Sequence, residues 1–99
     1  MITVLYQFPR STDQQTLDDF LTAQLLPGLQ GAEGLHSLQM SSGDLMSAGG
    51  PPPVSKVVQA FFPSLEALFG YVQSPAGLAT QEFLEETGTL IIFYEFEEL

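Results

Sequence analysis

The sequence contains no cysteine, no tryptophan, one histidine and two cationic side chains among its 99 residues. Without cysteine it can form no disulfide, no thiolate nucleophile and no thiolate metal site. Arg10 and Lys56 stand against twelve acidic residues, so the formal net charge is −10. Nucleic acids and anionic membranes are bound by clusters of lysine and arginine. We therefore expect neither as a partner, and the acidity is typical of a well-solvated surface.

Long apolar runs are also missing. No run approaches the roughly 20 residues of a membrane span. The N-terminus shows no basic region followed by an apolar run, so we expect no secretory signal and a cytoplasmic protein. A length of 99 residues fits one domain, residues 1–99.

Apolar and aromatic residues, by contrast, are abundant. They make up 44% of the chain, with eight phenylalanines and three tyrosines. That is more apolar material than the core of so small a domain needs. Part of it is therefore predicted to meet a partner chain.

The segment from Asp13 to Leu29 has the period of an amphipathic helix. Ser11 or Thr12, each with a glutamine three residues later, is predicted to open it as a capping box. Pro27 and Gly28 are predicted to end or bend it. The predicted apolar face consists of Leu17, Phe20, Leu21, Leu25 and Leu29.

The remaining chain alternates between strand and helix patterns. Four strands are predicted at residues 2–8, 35–41, 54–62 and 89–96, with an exposed connection at 42–53. Ser64 is the expected N-cap of a second helix, and Ser74 with Pro75 opens a third that Gly88 closes. The predicted inner residues of these two helices are Leu65, Leu68, Phe69 and Val72, then Leu78, Ala79 and Phe83.

The predicted order is βαββαβ, which is typical of ferredoxin-like α+β folds. We expect a four-stranded antiparallel sheet with helices on one face. Nothing in the chain remains to cover the other face, so a second copy is predicted to pack there as a homodimer. The residues predicted for that interface are Val57, Phe61, Ile91 and Phe93. A monomer with a partly solvated sheet is the alternative.

On the first helix the sequence resembles the EthD family of dimeric α+β barrel proteins, named for ethyl tert-butyl ether degradation. The family pattern is Asp-Tyr-Tyr, three residues, His, one residue, Pro, one residue and Leu. Asp19, Pro27 and Leu29 match it, and weaker matches follow at 64–67 (SLEA) and 74–77 (SPAG). The resemblance spans nearly the whole chain in the right order, and it implies a single EthD-like ferredoxin-fold domain.

The departures from this pattern affect the expected chemistry. Leu25 stands at the position of the family histidine, and Phe20 and Leu21 stand at the two tyrosines. The resemblance implies a small-molecule cleft between the first helix and the sheet. Here its polar end becomes an apolar wall, and Leu25 has no proton for acid–base work.

We predict that this cleft is lined by apolar and aromatic residues. The predicted lining is Tyr6, Phe8, Phe20, Leu21, Leu25, Phe62 and Tyr94. This assumes that Tyr6 and Tyr94 point towards the helices and that each hydroxyl serves as a polar handle, as that of Tyr71 would. Ordinary core packing is the alternative, and an error of one residue in strand parity would exchange the cleft and interface residues.

Catalytic candidates are few. His36 can titrate near neutral pH, and a tyrosine such as Tyr94 is the other acid or base available, although a lone histidine on a strand is more often a surface residue. No metal-ligand cluster is present. Gly49 and Gly50 lead into prolines and form no phosphate loop, so we expect no metal and no cofactor.

Three functions follow from these observations. We favour a homodimer that binds a small apolar or aromatic molecule without clear catalytic residues. The alternative, by resemblance, is a cofactor-independent monooxygenase, or a lyase or isomerase, acting on an aromatic or lactone compound through His36 or a tyrosine. A third is a structural subunit whose acidic surface meets a basic partner.

Overall fold

The computed structural model describes residues 1–99 and contains the predicted βαββαβ order. The strands are β1 (Ile2–Pro9), β2 (Ser37–Met40), β3 (Val54–Phe62) and β4 (Leu90–Glu95). The helices are α1 (Gln14–Phe20), a π-helical turn (Leu21–Leu25) and α2 (Leu26–Gln30), then α3 (Leu65–Val72) and α4 (Pro75–Thr87). None of the helices has the length and apolar character needed to cross a membrane.

The four strands form one antiparallel sheet in the order β2-β3-β1-β4. The helices cover one face, as predicted. β1 and β3 turn Val4, Tyr6, Phe8, Val58 and Phe62 into the core beneath the helices. Directly opposed residues of an antiparallel pair share a face of the sheet. The register therefore assigns every other strand residue to the helix face or to the opposite, open face.

The register corrects the predicted parity of β4. Tyr94 pairs with Thr3, so it lies on the open face and not under the helices. Ile91 and Phe93, predicted for the interface, pair with Tyr6 and Val4 and lie on the helix side. β4 is an edge strand with large apolar residues at both parities, so alternation alone could not assign its faces.

The first helix runs through Pro27 and Gly28, which were predicted to end or bend it, so the predicted ending is wrong. The turn before Pro27 widens into π geometry, in which the Leu26 N–H donates to the Leu21 carbonyl five residues back. A proline inside a helix lacks an N–H and crowds the carbonyl four residues earlier. The widened turn accommodates it, and the helix continues to Gln30.

The cap of the first helix is also shifted from the prediction. Neither Ser11 nor Thr12 caps it; the Asp13 carboxylate accepts hydrogen bonds from the Thr16 N–H and hydroxyl, both at 2.9 Å. The predicted caps of the later helices are confirmed. Ser64 and Ser74 cap α3 and α4, and Gly88 ends α4 in the left-handed conformation at φ 71°.

Two predicted inner faces are partly wrong. In α3, Leu68 and Tyr71 are buried while Leu65 and Phe69 are half exposed. In α4, Leu84 is buried and Leu78 faces outwards. Phe83 does turn inwards and stacks on Phe20. The two short helices thus present a different stripe to the sheet, and this brings Tyr71 into the core.

Candidate functional site

The predicted cleft between the first helix and the sheet is filled by its own side chains. Six of its seven predicted residues are at most 4% exposed and belong to one core cluster: Tyr6, Phe8, Phe20, Leu21, Leu25 and Phe62. Aromatic rings pack there in series, with Phe8 and Phe20 centroids 6.4 Å apart. Leu25, at the position of the family histidine, is fully buried. These residues form the core and leave no cleft among themselves.

Tyr94 does not join them, because it lies on the open face. His36 lies directly before the start of β2, in a hollow of about 350 Å³ whose lining includes Phe61, Phe96 and Glu98. The two residues predicted as acid–base candidates thus lie outside the core around Leu25.

A larger cavity lies elsewhere, where the end of the first helix meets α3 and the start of α4. It has a volume of about 800 Å³, within the range of small-molecule sites. We call it the Tyr71 groove. Its walls carry small side chains and two carboxylates, and its lining includes Gly28, Gly31, Gly34, Ser64, Glu66, Ala67, Gly70, Tyr71, Ser74 and Ala76.

Close packing at two glycines builds the groove. A Cβ on Gly28 would lie 3.3 Å from the Ala76 Cβ and 3.6 Å from the Tyr71 hydroxyl oxygen. A Cβ on Gly77 would lie 2.8 Å from the Val72 carbonyl oxygen, closer than real side chains come. Only glycines let α2 and the start of α4 approach Tyr71 this closely.

The Ser74 hydroxyl makes two hydrogen bonds at the junction between α3 and α4. Ser74 Oγ donates to the Tyr71 carbonyl at 2.6 Å and accepts from the Gly77 N–H at 3.2 Å. The same side chain therefore ends one helix and opens the next. This fixes the backbone of Tyr71 at the wall of the groove.

The Tyr71 hydroxyl is buried and has no hydrogen-bond partner. It lies near the hydroxyls of Tyr6 and Thr80, but the geometry does not make a hydrogen bond with either. Thr80 Oγ1 instead donates to the Gly77 carbonyl at 2.7 Å. Burial raises the pKa of Tyr71. The pKa of Tyr6 is raised by burial and, to a smaller extent, by the neighbouring phenol of Tyr71. Both phenols therefore stay protonated and neutral at physiological pH.

The charge around the groove is negative. Glu33 and Glu66 line it, and neither Arg10 nor Lys56 does. In a chain with a net charge of −10, this potential disfavours anionic ligands. The groove therefore suits a neutral or cationic molecule.

Another hollow, of about 670 Å³, lies beside the connection between β2 and β3. It is mainly polar and includes Arg10, Gln14, Asp44 and Ser55. The Arg10 Nε donates to the Pro52 carbonyl at 2.8 Å, which ties this connection to the end of β1. The hollow is formed largely by loop residues, and we assign it no ligand. Nowhere in the structure do three or more histidine or acidic side chains gather as a metal site.

The open face of the sheet is the other prominent surface. Its strand residues, assigned by register, are Thr3, Leu5, Gln7, Ser37, Gln39, Val57, Gln59, Phe61, Leu90, Ile92 and Tyr94. None of them is charged, although the chain carries twelve carboxylates. Lys56 and Glu95 fall on the helix face, opposite Phe8 and Ile2. The rings of Phe61 and Phe96 meet edge to face at 5.9 Å at one end of this surface.

The sequence matches no protein-family model and no curated protein. Its fold is nevertheless well represented among solved structures. An EthD family protein from Bacillus halodurans C-125 superposes with a TM-score of 0.80 at 15% identity, over 98% of this chain and 99% of the other. The predicted resemblance to EthD proteins is thereby confirmed at the level of the fold.

Two further structures show how varied this fold is. SnoaB, a cofactor-independent oxygenase from Streptomyces nogalater, matches with a TM-score of 0.75 at 11% identity, over 99% and 94% of the two chains. A dimeric ferredoxin-like protein of unknown function from Thermobifida fusca YX matches at 0.71 and 14% identity, over 96% and 90%. The structural similarity defines a ferredoxin-like α+β fold, and at such low sequence identities it assigns no activity.

The Tyr71 groove is not among the sites predicted from the sequence. The sequence identifies Tyr71 as an aromatic residue with a hydroxyl group and assigns it to no site. The available signal was the set of small residues around it: Gly28, Gly31, Gly34, Gly70, Ser74 and Ala76. They are far apart in sequence, and only the helix packing brings them together.

Proposed function

We propose that the protein is a homodimer that binds a small, uncharged, largely apolar or aromatic molecule in the Tyr71 groove. The observation that carries the binding proposal is the groove itself. Its volume, small-residue walls and buried tyrosine fit the usual pattern of small-molecule sites, which are mostly apolar with few polar groups.

The homodimer is supported by the open face. A partner of the same charge is repelled wherever carboxylates would meet, so a chain with a net charge of −10 can associate with itself best through the open face, whose strand residues carry no charge. Leu5, Val57, Phe61 and Ile92 supply apolar area on that surface. The Thermobifida fusca protein of similar fold is described as dimeric, which supports self-association of this fold.

The enzyme alternative receives less support. It assigns acid–base work to His36 or Tyr94, and neither lines the Tyr71 groove. The phenols closest to the groove are held neutral by burial, which makes them poor general bases near pH 7. We therefore propose binding and not turnover.

The binding proposal is tested with N-phenyl-1-naphthylamine, a neutral probe whose fluorescence rises in apolar sites. We expect saturable binding to the wild-type protein. Gly70→Leu should abolish most of it, because Gly70 lines the groove and a Cβ there meets nothing within 4 Å. The control is Gly49→Leu, at a loop glycine with equally open space. Equal binding by both variants and the wild type would refute the groove as the site.

A further inference from the structure

The hollow beside His36, which we call the Phe61–Phe96 corner, is bounded by two aromatic rings. Phe61 lies on β3, and Phe96 directly follows β4. The ring centroids are 5.9 Å apart and the ring planes are inclined by 86°. Two rings at right angles form a corner, and a group placed in it contacts both. The volume of about 350 Å³ lies within the range of small-molecule sites.

The backbone holds both walls of this corner. β3 and β4 lie on either side of β1, so roughly 10 Å separates their backbones. Rings that are only 5.9 Å apart therefore lean towards each other over β1. Thr3, opposite Phe61 on β1, is fully buried although it belongs to the open face, in agreement with rings that lean over it. The Phe96 N–H donates to the Met1 carbonyl at 3.2 Å, and the His36 N–H donates to the Phe61 carbonyl at 2.8 Å.

The charges around the corner favour a cation. Glu98 lines it, and neither Arg10 nor Lys56 does. The whole chain has a net charge of −10. The face of an aromatic ring is also negative, so it attracts a cation within about 6 Å of the ring centroid. The carboxylate and the rings therefore act on a ligand charge of the same sign.

The two phenylalanines also distinguish between cations. A primary ammonium has three N–H donors, and phenylalanine rings offer them no oxygen or nitrogen acceptor. Methyl groups on the nitrogen replace those donors with apolar surface, which packs against the rings while the charge remains. Aromatic walls recognise quaternary ammonium groups in this way.

We propose that the Phe61–Phe96 corner binds the methylated ammonium group of a free small molecule between the two rings, with Glu98 balancing its charge. The corner shares no lining residue with the Tyr71 groove. Failure of one site therefore leaves the other untouched, and the Gly70→Leu variant that blocks the groove should bind the cation as the wild type does.

The test compares choline with 3,3-dimethyl-1-butanol, which has the same shape but a carbon in place of the charged nitrogen. By isothermal titration calorimetry, choline should bind the wild type roughly tenfold more tightly. Equal binding of the two compounds, or no binding of choline, would overturn the proposal. If N-phenyl-1-naphthylamine still bound in that case, the proposed function of the groove would stand.

Three variants test which side chains hold the cation. Phe96→Leu should weaken choline binding about two- to fivefold, because it removes one ring. Glu98→Gln should weaken choline binding by up to about fivefold and leave 3,3-dimethyl-1-butanol unchanged. The control is Glu97→Gln, at a neighbouring carboxylate that does not line the corner. Equal effects of the two glutamate substitutions would contradict a role for Glu98.

A further ligand separates a free cation from a lipid headgroup. Glycerophosphocholine carries the same ammonium group beside a phosphate, which Glu98 and the negative chain should repel. We expect it to bind more weakly than choline. Tighter binding would identify a phosphocholine headgroup as the ligand and overturn the assignment to a free cation.

A measurement on the wild type alone does not depend on any variant folding. The N-methyl protons of choline should move upfield in the proton NMR spectrum as protein is added, because they lie against the faces of the rings. Choline that binds without this shift would be bound elsewhere, and the proposed corner would be wrong.

Discussion

The rings of Phe20 and Phe83 stack with centroids 3.9 Å apart and planes within 10° of parallel. Phe20 ends α1 and Phe83 lies in α4, so this pair joins the first helix to α4 over the sheet. We expect Phe83→Leu to lower the free energy of unfolding by about 1–2 kcal/mol, since it removes ring contact and leaves space. Urea denaturation followed by circular dichroism measures the change.

The matched control for this prediction is Phe69→Leu. Phe69 is 49% exposed on the outer side of α3, and it stacks on no other ring. Its substitution should change the stability by less than about 0.5 kcal/mol. Similar losses at the two positions would show that the Phe20–Phe83 stack has no special role.

Replacing either of two helical glycines with alanine should change the stability of the protein, but in opposite directions. Gly77→Ala places a Cβ against the Tyr71 and Val72 carbonyls and should destabilise the protein by at least about 2 kcal/mol. Gly70→Ala meets nothing within 4 Å and should stabilise by roughly 1 kcal/mol, because alanine favours the helix. Thermal unfolding of the two variants gives the sign directly. A stable Gly77→Ala protein would contradict the described helix junction.

The buried phenols predict a loss of stability in alkali. Burial raises the pKa of Tyr6 and Tyr71 above the ordinary value in the folded protein. An unfolded tyrosine ionises near pH 10, so above that pH the unfolded state has lost protons that the folded state keeps. Stability is therefore full below about pH 10 and falls as the pH rises, by at most about 1.4 kcal/mol per pH unit for each tyrosine.

Urea midpoints at pH 8 and pH 11 test this expectation. Tyr6→Phe should show a smaller alkaline loss than the wild type, because only Tyr71 then remains as a buried phenol with a raised pKa. An identical loss in both proteins would mean that Tyr6 titrates normally in the fold.

The N-cap of the first helix predicts a loss of stability in acid. Hydrogen bonds from Thr16 hold the pKa of the Asp13 carboxyl below its usual value. A lowered pKa means that the contribution is present above the ordinary carboxyl pKa and is lost as the pH falls through the lowered value. Asp13→Asn should keep the cap at pH 7 but lose this dependence below about pH 4. The stabilities of the wild type and Asp13→Asn should therefore be similar at pH 7 and differ clearly at low pH. If acid unfolding follows the same pH dependence in both proteins, the proposed role of the Asp13 cap is wrong.

The order of strands and helices along the chain, and the starts of α3 and α4, could be predicted because local signals agree there. Residues 54–62 are rich in strand-forming residues, Ser64 and Ser74 have side chains that cap helix N-termini, and Gly88 adopts the left-handed conformation that ends α4. The faces of β4 and α3 could not. β4 has large apolar residues at both parities, and α3 has two apolar stripes of similar strength, so only packing decides between them.

The candidate site depended on that same packing. The resemblance places Leu25 in the predicted cleft, but this side chain is fully buried in the core. The π-helical turn carries the helix past Pro27 and brings Gly28 next to Tyr71. No pattern in the sequence specifies that contact, because it joins residues 43 positions apart through the packing of three helices.

The most direct test of the proposed homodimer is the solution mass of wild-type protein and of Ile92→Lys, by size-exclusion chromatography with light scattering. Ile92 pairs with Leu5 on the open face, so a lysine there would bury a charge in the interface. The control is Leu78→Lys, at a residue that is 54% exposed on α4. We predict twice the 10.8 kDa chain mass for wild type and Leu78→Lys, and one chain mass for Ile92→Lys. A monomeric wild type, or an Ile92→Lys variant that remains dimeric, would contradict association through the open face of the sheet.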